Sequence, residues 1–128
     1  MARVLIVDDD PVMQELLRQK LEEAGLEGDS VGGGREALEA LCRATAADEP
    51  YSAMVLDLIM PFVSGWQVLE AIRGNPLWSD MPVVVISGYA NGTGDLARVS
   101  DYGCFFVEKQ GNFLDMVCAA LGRLVHAA

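Results

Sequence analysis

The chain has 128 residues with a formal net charge of −10, a length that suits one domain with its own core and an acidity that excludes phosphate-backbone binding, which needs clustered Lys and Arg. Three cysteines at unrelated spacings (Cys42, Cys104, Cys118) argue against a disulfide framework and for a reducing, cytoplasmic setting, and no apolar stretch is long enough to span a bilayer. The one histidine, His126, sits three residues from the end, so a histidine-based metal site is not expected.

In chain order, Val4-Leu5-Ile6-Val7 opens the pattern and runs straight into Asp8-Asp9-Asp10. An unbroken, β-branched-rich run reads as a strand buried on both faces, hence part of a parallel sheet. Asp10 is a good N-cap and Pro11 suits the first helical position; Met13, Leu16, Leu17, Leu21 and Ala24 form a helical stripe that Gly25 closes. The second strand, Gly28 to Val31, is the weakest, placed there mostly because a helix from Glu36 to about Thr45 must be fed from somewhere. Gly32-Gly33-Gly34 is a flexible connection without the spacing of a dinucleotide-binding loop.

The third strand, Ala53-Met54-Val55-Leu56, ends on Asp57. Gly65 then precedes a helix carrying Val68, Leu69 and Ile72, which stops near Gly74-Asn75-Pro76. Val83-Val84-Val85-Ile86 stops at Ser87 and leads through Asn91-Gly92-Thr93-Gly94 to a short helix with Leu96, Val99 and Tyr102. Phe105-Phe106-Val107 is followed closely by Lys109. A last helix from about Asn112 buries Phe113, Val117, Leu121 and Leu124; Met116, Cys118, Ala119 and Val125 lie off that stripe, on a surface that ordinary packing or a homodimer can use. Alternating strands and helices with right-handed crossovers predict an α/β chain, a three-layer α/β/α sandwich on a five-stranded parallel sheet. Residues 1–128 are expected to be one domain, without a secretory leader or an effector domain.

In such sheets a ligand sits outside the carboxyl ends of the strands. With the first and third strands adjacent where the strand order reverses, Asp8, Asp9 and Asp57 share one pocket. Three carboxylates so close repel one another until a cation joins them. Mg²⁺ (or Mn²⁺) is the fitting cation, because it takes one or two carboxylates, keeps waters and accepts phosphate oxygens. A helix start explains Asp10 well, Asp9 partly and Asp57 not at all. Ser87 and Lys109 bring a hydroxyl and an ammonium to the same rim.

These residues resemble the receiver domain of two-component response regulators over essentially the whole chain. Asp8-Asp9-Asp10-Pro11 is similar to that family's acidic start, and Asp57-Leu58-Ile59-Met60-Pro61 with Gly65 to its phosphoacceptor loop. Ser87 lies thirty residues beyond Asp57 and Lys109 a further twenty-two, where the family has its hydroxyl and its lysine. The resemblance implies a flavodoxin-like strand order 2-1-3-4-5 and a phosphorelay signalling domain, which catalyses only its own phosphorylation and dephosphorylation. Asp57 would accept a phosphoryl group from a phosphohistidine of a histidine kinase or a histidine phosphotransfer protein. Asp9, Asp57 and the backbone carbonyl of Ile59 would hold the metal, with Asp8 acting through water. Lys109 and Ser87 would stabilise the phosphoryl oxygens and then read them. Phe106 would follow Ser87 inward, altering the face made by the fourth helix, fifth strand and fifth helix for a downstream output partner.

Three departures from the family fall on the reading-out side of the site. Gln110 follows Lys109 where proline is usual, predicting a trans bond there. Gly88 replaces an alanine, and Phe106 stands where tyrosine is frequent. Ile59 and Tyr89, both bulky, predict hindered water and a persistent phosphoaspartate. The rival readings are a pseudo-receiver that signals by interaction without phosphate, and a haloacid-dehalogenase-type phosphatase using Asp8 with Asp10. The second lacks that family's late acidic pair and leaves Asp57 to Pro61 unexplained.

Overall fold

The computed structural model describes residues 2–58, 64–87 and 102–126. Five strands, β1 (Arg3–Val7), β2 (Glu27–Val31), β3 (Ala53–Asp57), β4 (Val83–Ser87) and β5 (Phe105–Glu108), pair in parallel in the order β2-β1-β3-β4-β5. Among the described residues the helices are α1 (Pro11–Glu23), α2 (Gly34–Ala46), α3 (Gly65–Arg73) and α4 (Phe113–His126). The expected strand order and layering are therefore found.

Side chains alternate across a strand, and here both alternating sets are buried. Leu5, Val7, Met54, Leu56, Val83 and Val85 point to one face and pack under α2 and α3 through Ala37, Leu41, Val68, Leu69 and Ile72. Val4, Ile6, Val55, Val84, Ile86 and Val107 point to the other, under α1 and α4 through Leu17, Leu21, Val117 and Leu121. A layer of helices on each face is the physical reason that β1, β3 and β4 are continuous apolar runs. Among the described residues no helix is long and apolar enough to cross a membrane.

The helix ends follow the sequence with instructive shifts. Asp10 caps α1, its carboxylate accepting from the Val12 amide at 3.0 Å, and Gly25 takes a positive φ of 80° just beyond the helix. Leu16 is 41% exposed and Ala24 is exposed too, so the buried stripe of α1 is narrower than expected and rests on Leu17 and Leu21. Gly34 belongs to α2, not to the connection before it. Gly65 is the first residue of α3, and the cap is Ser64, in a reciprocal capping box with Gln67. The spacing Ser-x-x-Gln was the available signal for that cap.

The edge strands depart most. β2 starts at Glu27 and keeps its polar residues, and in β5 only Val107 is buried while Phe105 is 45% exposed. Edge position explains this, because each is paired on one side only. Tyr102, expected on the fourth of five predicted helices, stands in a turn that leads into β5. The rest of that predicted helix, with Leu96 and Val99, lies outside the described residues, as do Ile59, Gly88 and Tyr89.

Candidate phosphoacceptor and metal site

The strand register brings the polar residues to one rim. Val7 pairs with Leu56, so Asp8 and Asp57 follow side by side at the ends of β1 and β3. Asp57 pairs with Ile86, which puts Ser87 one residue further out on the neighbouring strand. Ser87 pairs with Glu108, and the Lys109 amide extends the ladder by donating to the Ser87 carbonyl at 2.9 Å. The Lys109–Gln110 peptide bond is trans, as expected.

Asp8, Asp57 and Ser87 are the buried polar residues of the described core, at 0%, 5% and 1% exposure. Lys109 reaches over them, with Nζ 3.2 Å from Asp8 Oδ2 and 3.3 Å from Asp57 Oδ2. Burial pulls the ammonium's pKa down, but attraction to Asp57 and then Asp8, with hydrogen bonds to both, outweighs it and leaves the pKa raised. Lys109 therefore stays charged throughout the physiological range.

The β1–α1 turn is held by its own groups. The Asp10 amide donates to Asp8 Oδ1 at 2.9 Å. The Gln14 side-chain amide donates to the Asp8 carbonyl at 2.6 Å and to the Val31 carbonyl at 3.2 Å. Asp9, exposed at the crest of this turn, joins Asp8 and Asp57 in a cluster whose carboxylate oxygens lie within 4.8 Å of one another. Asp10 is not part of it. Three carboxylates and one ammonium give these four side chains a formal excess of two negative charges. Hard oxygen donors with that charge deficit suit a small divalent cation such as Mg²⁺, so the residues present are able to hold one.

Gly65 is fixed by close approach. A Cβ there would lie 2.5 Å from the Asp57 carbonyl oxygen and 2.6 Å from Leu58 Cα, and the Gly65 amide donates to the Leu58 carbonyl at 3.0 Å. The first turn of α3 thus presses directly on the strand end that carries Asp57.

Sequence reasoning placed Asp8, Asp9, Asp57, Ser87 and Lys109 on this rim, and they share it. Phe106 does not line it: half-buried, it packs against the α2/α3 side of the core, as do Tyr102 and Trp66, whose ring centroids lie 6.4 Å apart. Gln14 was missed. A polar residue at an ordinary helical position gives no sequence signal that its side chain turns back onto a strand end.

The family model of the response regulator receiver domain matches residues 4–119. The transcriptional regulatory protein TcrA of Mycobacterium tuberculosis is 32% identical over 122 residues, which are 95% of this chain and 45% of that protein. The chain thus spans less than half the length of that curated relative. Among solved structures, a sensor protein from Polaromonas sp. JS666 is 30% identical with a TM-score of 0.83, covering 98% of this chain and 97% of its own. The response regulator protein TrrA from Thermotoga maritima, solved in complex with Mg²⁺-BeF, is 32% identical with a TM-score of 0.78, covering 97% and 99%.

Proposed function

We propose that this chain, which belongs to the response regulator receiver domain family, accepts a phosphoryl group on Asp57 from a phosphohistidine of a partner protein. One observation carries the reading: the Lys109 ammonium bridges the buried Asp8 and Asp57 carboxylates beside a third acid, Asp9. An Asp57 oxygen attacks phosphorus, the P–N bond breaks, and its electron pair goes to the donor imidazole. Anion must approach anion, so catalysis here is charge compensation and aim. Asp9, Asp57 and the Ile59 carbonyl would hold Mg²⁺, with Asp8 acting through water, and the ion would supply neutralisation that Lys109 alone does not provide. Lys109 and the Ser87 hydroxyl then stabilise the phosphoryl oxygens.

Both carboxylate oxygens of Asp8 are engaged in holding the site together. One of its oxygens accepts from the Asp10 amide and the other from Lys109, and Asp10 caps α1. That speaks against a phosphatase built on Asp8 and Asp10. A phosphate-independent role would make this constellation idle. The readout we propose is a shift of Ser87 toward the new oxygens, with Phe106 moving into the space behind it. The donor, a histidine kinase or histidine phosphotransfer protein, and the output partner belong to the same proposal, as does a cytoplasmic setting.

Intact mass after incubation with Mg²⁺ and acetyl phosphate tests the reading, with Asp57→Asn in parallel. A single phosphoryl gain by the native chain and none by the variant is expected. No gain by the native chain, or equal gain by the variant, sinks it.

A further inference from the structure

Asp9 is the exposed member of the acidic cluster, and it lies at the crest of a turn that must resist repulsion from two neighbouring carboxylates. Its orientation depends on the peptide plane between Asp8 and Asp9, and that plane's carbonyl is the one that Gln14 holds. The contact is the short one of the pair, 2.6 Å to the Asp8 carbonyl against 3.2 Å to Val31. The Val31 carbonyl has a further donor in the Asp8 amide, also at 3.2 Å. Gln14 therefore clips the end of β1 to the end of β2 through a carbonyl on each. Its own backbone is fixed in the first turn of α1 by donation to the Asp10 carbonyl at 3.0 Å. A rigid helix thus delivers the clip, and the Asp10 amide on Asp8 Oδ1 locks the other side of the turn.

We propose that Gln14 is a positioning residue for the acidic turn: by holding the Asp8 carbonyl it keeps Asp9 aimed at the shared divalent-cation position. The proposal rests on the function proposed above. Partners that orient ligating groups without touching the metal are typically worth about 10–100-fold in affinity. Gln14 makes one such contact from a half-exposed position, so the lower end applies.

Mg²⁺ titration by calorimetry tests this on the native chain, Gln14→Met, which keeps the length and removes the donors, and Gln14→Lys, which restores a donor. Thermal midpoints in EDTA are measured alongside. Gln14→Met should bind Mg²⁺ about tenfold more weakly, with its midpoint in EDTA unchanged. Gln14→Lys should recover most of that loss. With acetyl phosphate, Gln14→Met should need more Mg²⁺ for half-maximal phosphorylation yet reach nearly the native rate at saturation. Mg²⁺ affinity of Gln14→Met equal to native overturns the proposal. So does a fall of the EDTA midpoint, or loss of folding, that tracks the affinity, since that marks a merely structural residue. Native protein that binds no Mg²⁺ overturns the functional reading itself, whereas native binding with an indifferent variant removes only Gln14.

Discussion

The two ends of the sheet handle charge in opposite ways. At the amino end of β1, Arg3 pairs with Asp29 at 2.9 Å, lies 4.5 Å over the Tyr51 ring and donates to the Glu49 carbonyl at 2.7 Å, while the Tyr51 hydroxyl donates to Asp29 at 2.9 Å. Arg3 there engages Asp29 closely and Glu49 more loosely, at 3.8 Å. The hydrogen bond from Arg3 holds the Asp29 carboxyl below its usual range, and Asp29 in turn raises the Arg3 guanidinium. At the carboxyl end, three carboxylates face a single ammonium. The buried acids thus gather at the carboxyl end, where the proposed cation and phosphoryl group would relieve their repulsion.

Substitutions at the two ends should therefore behave differently, and the largest effect belongs to the carboxyl end. Lys109→Met should slow phosphorylation of Asp57 by about 10²–10³-fold, the range for loss of one preorganised donor. Rates with acetyl phosphate at saturating Mg²⁺ measure it, and a rate near native would mean the ammonium is only structural. Next comes Gly65→Ala, whose Cβ meets main-chain atoms that cannot yield without moving Asp57. A cost of about 1–3 kcal/mol in urea unfolding is expected, as for overpacked cores; Gly74→Ala, with its closest contact at 3.2 Å, should cost less.

Asp9→Asn should invert the usual sign. In EDTA it removes one of three repelling charges and should stabilise by about 1 kcal/mol, a gain that saturating Mg²⁺ erases because only the native chain retains all its ligands. Destabilisation in EDTA would show that the end is not under tension. The smallest effect belongs to the amino end. Asp29→Asn breaks a half-exposed pair and should cost about 0.5 kcal/mol while leaving phosphorylation unchanged. The lowered Asp29 pKa means its contribution is present above about pH 3.9 and lost as pH falls through the folded-state value, so native and variant curves should converge in acid. Lys109 is the mirror case. With a raised pKa its contribution is present below about pH 10.4 and disappears only as pH rises through a still higher folded value.

Much of the site was legible because chemistry and position coincide in a parallel sheet. A residue that ends a buried apolar run must sit on the rim, so Asp8, Asp57 and Ser87 announced themselves. Capping chemistry announced Asp10. The ends of the described helices were legible to within a residue or two, but the Ser64 cap went unread although its Gln67 partner was the available signal. β2 was nearly illegible, since Glu27-Gly28-Asp29-Ser30-Val31 has little strand propensity. It forms because β1 offers a ladder and Arg3 a partner for Asp29. Gly28 leaves just the space that Ile6 and Leu21 fill, a Cβ there falling 3.1 and 3.2 Å from their methyls.

By itself, the sequence determined the layers, the central strands and which polar groups gather at the rim, because burial on both faces and spacing along the chain are written in residue type. The tertiary structure alone decided distances and partnerships: that Lys109, 101 residues from Asp8 and 52 from Asp57, bridges both; that Gly65 abuts the Asp57 carbonyl; and that Gln14 turns back onto the acidic turn. Those contacts join segments remote in the chain or turn a side chain off its helix, and only packing fixes where such groups meet.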